Sequence, residues 1–176
     1  MKIVQWVLAV VGAVALAVVL GGLFIPSAFK VERSVQVNAP ADRIYDLVVE
    51  PRKWKDWSVW TRRDPQMRIV YSGPPFGMGA RWSWESRKEG SGSMELTRVD
   101  PNRRVEYALA LPDFNMRTTG AITMEPAGGG TRVTWSTAGD VGGNPLKHYL
   151  AASMERMVGP DFEQGLANLK ARAEKP

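Results

Sequence analysis

Few side chains in this sequence are suited to moving a proton. His148 is the only histidine, and it follows Asn144-Pro145 at the start of a predicted helix. Histidine can act as a general acid or base near neutral pH, and Tyr107 and Tyr71, on predicted strands, could also exchange protons. A lone histidine beside a helix start is more typical of an exposed or capping residue, which is our expectation for His148. His148 and Tyr107 are therefore candidates for catalysis, but no constellation of residues surrounds them.

The residue types give little support to metal, nucleophile or phosphate chemistry. The chain has no cysteine, which excludes disulfides, zinc–thiolate sites, iron–sulfur clusters and cysteine nucleophiles. A single histidine without clustered carboxylates falls short of a metal-ligand set. The sequence also lacks the motifs of a nucleophile elbow and of a phosphate-binding loop. We predict no metal and no cofactor.

Aromatic residues and methionines are the stronger candidates for a site, as the lining of an apolar pocket. Ligand pockets are mostly apolar with a few polar groups, and methionine adapts to irregular shapes. An ordinary packed core uses the same residue types, and large rings could fill the space themselves. The predicted ligand-binding residues share an inward-facing position on a strand or helix: Trp57, Tyr71, Trp82, Trp84, Met94, Leu96, Tyr107, Leu109, Met116, Thr118, Trp135, Met154, Met157 and Phe162.

Most of these residues lie on segments with the alternation of half-buried strands. The first such segment is Lys30–Asn38, where Val31, Arg33 and Val35 share one face. Six more segments follow, separated by short turns, and they predict an antiparallel meander. These segments are Met67–Ser72, Ala80–Ser86, Ser93–Val99, Arg104–Leu111, Asn115–Glu125 and Thr131–Thr137.

Short helices are predicted between the first strand and the meander. Ile44, Leu47 and Val48 form a helical apolar stripe that ends before Pro51, because a residue before proline leaves the α region. The tryptophans 54, 57 and 60 then recur every three residues, which places them roughly on one side of a short helix. They could close the open end of the sheet, form a pocket mouth, or make a surface for a membrane or protein partner.

A long helix is predicted at the C-terminal end of the chain. Apolar residues recur every three or four positions from Leu146 to Leu169, which is the pattern of an amphipathic helix. Gly159-Pro160 predicts a kink or a short break within it. This helix is the element long enough to cover the apolar face of the sheet. We therefore predict an α+β fold in which a curved sheet wraps one helix and leaves space between them.

The N-terminal segment has the composition of a membrane-spanning helix. Ile3–Ile25 has no charge and Gln5 as its single polar side chain. As a helix it would be about 34 Å long, enough for a hydrocarbon core of roughly 30 Å. A cleaved signal peptide is the alternative, but its apolar region is shorter and Pro26-Ser27-Ala28 matches a cleavage site poorly. We predict a single-pass anchor at residues 1–29 and one domain at residues 30–176.

The distribution of charged residues bears on the orientation of the anchor in the membrane and on whether the protein binds nucleic acid. Basic residues lie on both sides of the apolar segment, Lys2 before it and Lys30 and Arg33 after it, so the positive-inside rule does not decide cleanly. A very short tail ahead of a long apolar helix commonly stays inside, which predicts a domain on the periplasmic or outer face. The net charge of +5 is spread among acidic residues, unlike the concentrated basic face of a nucleic-acid-binding protein.

Taken together, the order of these segments resembles the SRPBCC, or START-like, superfamily, and most closely its polyketide cyclase/dehydrase-like branch. The resemblance runs from about Lys30 to Lys170 and is carried by VNAPADRIYDLV, WKDWSVW, PFGMGARWSW, GTRVTWSTAGD and MVGPDFEQGLANLK. It implies a helix-grip fold with about seven strands, and binding of hydrophobic ligands such as lipids, sterols or polyketides. Some branches of this superfamily are enzymes, and the apolar N-terminal segment lies outside the shared fold.

Three functions are therefore open at this point. The first is a membrane-anchored binding or carrier protein that holds a lipid-like or aromatic molecule. The second is a polyketide cyclase/dehydrase-like enzyme, which requires a titratable group such as His148, Tyr107 or Tyr71 facing the cavity. The third is a membrane-tethered interaction domain that acts through Trp54–Trp60 on a protein partner, whose identity the sequence does not predict.

Overall fold

A seven-stranded antiparallel sheet wraps one long helix in the computed structural model, which describes residues 2–175. The strands lie in the order β1-β7-β6-β5-β4-β3-β2. Their bounds are β1 (Ala28–Val37), β2 (Arg68–Ser72), β3 (Arg81–Ser86), β4 (Gly90–Asp100), β5 (Arg104–Leu111), β6 (Met116–Ala127) and β7 (Gly130–Asp140). The helices are α1 (Lys2–Leu23), α2 (Ala41–Val48), α3 (Trp54–Trp57), α4 (Val59–Arg63) and α5 (Pro145–Ala173). This architecture confirms the predicted helix-grip α+β fold.

The meander forms because each later strand pairs with the strand before it through a short turn. The first strand instead pairs along its whole length with the last, from Ala28 opposite Asp140 to Val37 opposite Thr131. β1 begins two residues before the predicted strand. The inward residues of these strands are buried and form one core with α5, as expected when a sheet has one apolar face to cover.

The long helix α5 begins at a well-formed cap and continues without interruption. The Asn144 side chain accepts a hydrogen bond from the Leu146 backbone nitrogen at 3.0 Å, and Pro145 takes the first helical position, where proline is favoured. Of the predicted kink or short break at Gly159-Pro160, the break was wrong, because the helix runs through both residues. Pro160 lies on the exposed side, where the carbonyl left without an N–H partner can bind water.

An ion-pair cluster fastens α5 to the first strand. Arg33 points towards the helix, with Nη1 at 2.6 Å from Glu155 Oε1 and Nε at 2.5 Å from Glu163 Oε1. Gly159 lies under the guanidinium, and a Cβ atom there would overlap it. The small residue therefore allows Arg33 to reach both carboxylates across the helix. Lys170 adds a second link, from Nζ to the Gln36 carbonyl oxygen at 2.7 Å.

The tryptophans between α2 and β2 pack into the core rather than on one helix face. The indole N–H of Trp54 donates to the Val48 carbonyl at 2.8 Å, and that of Trp57 donates to the Leu47 carbonyl at 3.1 Å. Both side chains are buried. Extended backbone at Ser58 separates α3 from α4, so these tryptophans do not share one short helix. The hypothesis of an exposed Trp54–Trp60 interaction surface was therefore wrong for Trp54 and Trp57.

A hydrogen-bonded chain inside the core links β5 and β7 across the intervening strand β6. Trp135 Nε1 donates to Tyr107 Oη at 2.9 Å, and that hydroxyl donates to the Ser136 carbonyl oxygen at 3.2 Å. Gly120 faces Tyr107 directly in the β5–β6 register. A Cβ atom at Gly120 would overlap both the phenol ring and the Ser136 carbonyl. The Tyr107 ring can therefore lie flat across β6 because that position carries no side chain.

α1 differs from every other element in its exposure. Among the described residues, it is the one helix long and apolar enough to cross a membrane, and its apolar window is not buried inside the protein. A core helix of a soluble domain would be mostly buried. The structure therefore leaves the apolar surface of α1 uncovered except at its last turns, which contact α5.

Replacing Gly120 with alanine is expected to destabilise the fold by about 1–3 kcal/mol, the usual cost of overpacking a core. The added methyl group must displace Tyr107 or β7. In thermal unfolding of the full chain in detergent, the midpoint should fall by about 2–4 °C per kcal/mol. Gly143→Ala is the matched control, because a Cβ atom at Gly143 meets nothing within 4 Å. Equal midpoints for the two variants would contradict the proposed packing of Tyr107.

Candidate ligand-binding cavity

An apolar cavity of about 210 Å³ lies between the inner face of the sheet and α5. Strand alternation directs one side chain in two from β2–β6 into it, and α5 supplies the opposite wall. Its lining residues are Phe29, Pro51, Trp54, Lys55, Ser58, Trp60, Thr61, Met67, Ile69, Tyr71, Trp82, Trp84, Glu89, Met94, Tyr107, Leu109, Leu111, Phe114, Met116, Thr118, Trp135, Thr137, Met154, Val158 and Phe162.

Most of the predicted ligand-binding residues line this cavity. They are Tyr71, Trp82, Trp84, Met94, Tyr107, Leu109, Met116, Thr118, Trp135, Met154 and Phe162. Whether they bind a ligand stays a prediction. Trp57 and Leu96 are fully buried in the core but do not line the cavity.

Met157 does not face the interior, contrary to the prediction. Its side chain is 57% exposed, and Val158 lines the cavity instead. Successive helical residues differ in direction by about 100°, as 3.6 residues per turn require. The apolar spacing of α5 fits either Met157 or Val158 at this turn, and Val158 is the residue that faces the sheet.

Several cavity residues were not predicted from the sequence. Phe29 lies at the start of β1, outside the predicted domain boundary, although it alternates correctly with Val31. Trp60, considered for a pocket mouth but not for the lining, lies on α4 and joins the wall through an edge-to-face contact with Trp135. Phe114 belongs to a 3-10 turn, Pro112–Phe114, that joins β5 to β6. Alternation within strands could have identified Phe29, but no periodic pattern identifies a turn residue such as Phe114.

The hydroxyl of Tyr107 is engaged rather than free. It accepts from Trp135 and donates to Ser136, as described above. Burial raises the pKa of Tyr107 well above its ordinary value, although hydrogen bonds from Trp135 and Thr137 oppose that shift. The proton is therefore held firmly at neutral pH, and Tyr107 is suited to shaping the wall.

Several other polar groups of the lining are also engaged. Thr137 Oγ1 donates to the Thr119 carbonyl at 3.2 Å. Glu89 is 3.6 Å from the Arg63 guanidinium, which also binds Asp161. The ring of Tyr71 is covered by the Arg52 guanidinium, 4.4 Å from the ring centroid. Because burial raises the pKa of Tyr71 despite the nearby Arg52, this phenol also keeps its proton at neutral pH.

His148 lies outside the cavity lining, between the end of α1 and the loop before α5. Nδ1 is 2.8 Å from the Gly22 carbonyl oxygen, and Nε2 is 3.0 Å from the Gly142 carbonyl oxygen. The residue is buried, so the expectation of an exposed or capping histidine was wrong. The sequence pattern missed this because α1, which covers His148, is distant in the chain. Within residues 2–175 no group of three or more potential metal ligands comes together.

The size and lining define what the cavity can hold. An apolar cavity of about 150 Å³ is known to accept benzene, while drug-sized pockets run to about 300–1,000 Å³. A volume of about 210 Å³ therefore suits one or two fused rings or a short acyl chain. Aromatic walls and methionines favour such a guest by contact and by excluding water.

The structure resembles several solved proteins of low sequence identity. The di-domain ARO/CYC protein StfQ of the steffimycin biosynthetic pathway has a TM-score of 0.66 at 16% identity, over 84% of this chain and 51% of that one. The Aha1 dimer from Colwellia psychrerythraea gives 0.59 at 18%, covering 82% and 96%. Protein MLL2253 from Mesorhizobium loti gives 0.57 at 17%, covering 81% and 95%. These identities support a shared fold.

Sequence comparison points to one family. No curated protein matches the chain. A family model described as "Polyketide cyclase / dehydrase and lipid transport" matches residues 28–174, which is the sheet together with α2–α5. The family indicates hydrophobic ligand binding or cyclase activity, and the apolar cavity agrees with the former. The chain therefore belongs to the polyketide cyclase/dehydrase and lipid transport family.

Proposed function

We propose that this protein is a membrane-anchored binding protein that holds one small apolar molecule in the cavity between the sheet and α5. Residues 1–29 are the anchor, and residues 30–176 are the binding domain. The observation that carries the proposal is the cavity lining, which is mostly aromatic, aliphatic and methionine side chains. Such a lining gains free energy from removing apolar surface from water, at about 25 cal/mol per Å².

The state of the polar groups favours binding over proton transfer. A general acid or base must reach the reacting atom with a proton to give or a lone pair to receive one. The Tyr107 hydroxyl is occupied by two partners, Glu89 is paired with Arg63, and both ring nitrogens of His148 lie within hydrogen-bond distance of backbone carbonyls outside the cavity. Tyr71 lines the cavity and keeps its proton at neutral pH. A cyclase-like role would therefore have to use the Tyr71 phenol as an acid or release one of the other groups.

The cavity volume also bears on the identity of the guest. A whole phospholipid is far larger than about 210 Å³, so the molecule is aromatic with one or two rings, or a short acyl chain. StfQ carries aromatase/cyclase domains of this fold, which is consistent with a ring-shaped guest here. The carrier role follows if the guest is delivered to or taken from the bilayer.

The properties of α1 support the proposal of a membrane anchor. The helix is uncharged apart from Lys2, is long enough for a bilayer, and keeps its apolar surface outside the domain.

Filling the cavity should abolish binding. Val158→Trp adds an indole to the cavity wall, whereas Met157→Trp adds the same group to the exposed side of the same helical turn. Titration of a naphthalene-sized fluorescent probe into the full chain in detergent should show saturable binding to the wild type and to Met157→Trp, and none to Val158→Trp. Equal affinities for both variants would place the binding site elsewhere.

Tyr107 should make stability depend on pH in the alkaline range. In the unfolded chain its phenol titrates near pH 10, while burial raises its pKa in the folded state. Above pH about 10 the unfolded state therefore loses the proton first, and stability falls by up to about 1.4 kcal/mol per pH unit. Below that pH the contribution is fully present.

The predicted loss of stability above pH about 10 can be tested by measuring the thermal midpoint from pH 8 to 11. The wild type should lose more stability above pH 10 than Tyr107→Phe, which is expected to be less stable at every pH because it lacks the hydroxyl bonds. Parallel curves for the two proteins would show that Tyr107 titrates normally, and the proton-transfer alternative would regain support.

A further inference from the structure

α1 and α5 meet at a notch formed by two glycines. The hydroxyl of Tyr149 donates to the Val18 carbonyl oxygen at 2.8 Å, and His148 binds the Gly22 carbonyl. A Cβ atom at Gly21 would lie 2.8 Å from that hydroxyl, and one at Gly22 would overlap the Pro145 carbonyl. Small residues at such crossings let two helices approach closely. The first turns of α5 are therefore held against the last turns of α1.

This contact fixes the depth of α5 relative to the apolar segment. Val18 is five residues before the end of α1, or about 7 Å along its axis at about 1.5 Å per residue. Counted from Ile3, a hydrocarbon core of roughly 30 Å ends about twenty residues later, beyond Val18. The Tyr149 hydroxyl is thereby about 7 Å inside the end of this core and within reach of the interface, where tyrosine is enriched.

The first turns of α5 carry a stripe of apolar side chains on their outer surface. Leu146, Tyr149 and Met157 are 54%, 41% and 57% exposed, and Leu150 is half-buried between them. Their spacing of three, four and seven residues places these four side chains, the α5 stripe, on one face of the helix. Lys147 and Arg156, both basic, lie on the two sides of this stripe. An uncovered apolar patch of this kind marks a surface that contacts something apolar.

The α5 stripe borders the cavity. Met154 and Val158 line the cavity and are immediate helical neighbours of Leu150 and Met157. On the sheet side, Phe114 lines the same cavity while it is 54% exposed. A residue that is both exposed and part of the lining lies at an opening. Phe114 lies in the turn at the end of the sheet where β1 begins and β7 ends, which is the end that carries α1. Lys55 on α3 is also both exposed and part of the lining, so the cavity has a second exposed border there.

We propose that the α5 stripe and Phe114 insert into the boundary between headgroups and acyl chains, so that the cavity opens on to the bilayer. The guest then enters from the membrane and does not cross water. Lys147 and Arg156 suit the headgroups of anionic phospholipids at that level. This inference rests on the proposed anchor and cavity and adds the orientation of the domain and the route of its ligand.

The absence of cysteine makes a direct test simple, because single-cysteine variants can carry one nitroxide each. The full chain is reconstituted in vesicles of phosphatidylcholine and phosphatidylglycerol. Labels at Phe114→Cys and Met157→Cys should collide more with oxygen than with a water-soluble nickel chelate, as a label at Val11→Cys within α1 should. Arg103→Cys is the control in the turn between β4 and β5, at the opposite end of the sheet, and its label should collide mainly with nickel.

The possible failures are distinguishable. Nickel-dominated collisions at 114 and 157, with oxygen-dominated collisions at 11, would overturn the membrane-facing opening and leave the anchor intact. Nickel-dominated collisions at all positions would overturn the anchor itself and this inference with it. Spin–spin broadening at 157 would show that a second copy covers the stripe, which also overturns the proposal.

The role of the α1–α5 contact in setting the depth of the domain can be tested separately. Gly22→Leu forces α1 away from the Pro145 carbonyl, so the label at 157 should shift towards nickel while the label at 11 stays in lipid. An unchanged label at 157 would show that the α1–α5 contact does not set the depth of the domain, contrary to the proposal.

Discussion

The packing of Trp135 is the interaction on which the interior depends. Its ring stacks on Phe162 of α5, with centroids 4.0 Å apart and planes 5° from parallel, and it meets Trp54, Trp57 and Trp60 edge-on. Its indole N–H is satisfied by Tyr107, as a buried tryptophan requires. One side chain on β7 thus joins the sheet, the short helices and α5. Trp135 and Phe162 also line the cavity, so the same contacts form part of its wall.

The elements of the fold follow from the sequence because each has a local period. Alternation predicts the strands, and the three-to-four spacing predicts α5, since one face of each must be buried. Features that depend on tertiary contacts could not be predicted from local sequence patterns. A proline inside a helix suggests a break, but the exposed position of Pro160 lets the helix continue. The burial of His148 depends on α1, more than a hundred residues away, which no local pattern records.

Lining residues on the strands could be predicted from the sequence, because the strands themselves could be predicted. Inward alternation identifies residues such as Trp82, Leu109 and Met116, because every second side chain of a sheet faces the helix. It does not distinguish a cavity wall from the solid core, which is why Trp57 and Leu96 were grouped with the lining. On a helix, the apolar spacing does not show which of two adjacent residues faces the interior, as Met157 and Val158 illustrate. Turn residues such as Phe114 carry no period, although they stand at the opening.

Membership of the family indicates hydrophobic ligand binding or cyclase activity, and the central proposal is that the cavity holds one small hydrophobic molecule. Native mass spectrometry of the full chain, extracted from its own membranes in mild detergent, tests this most directly when followed by organic extraction of any bound compound. We expect one adduct, a compound with one or two rings or a short acyl chain, bound to each chain. An adduct-free mass that remains unchanged on titration with small aromatics and short-chain fatty acids would contradict the proposal that the cavity is a binding site.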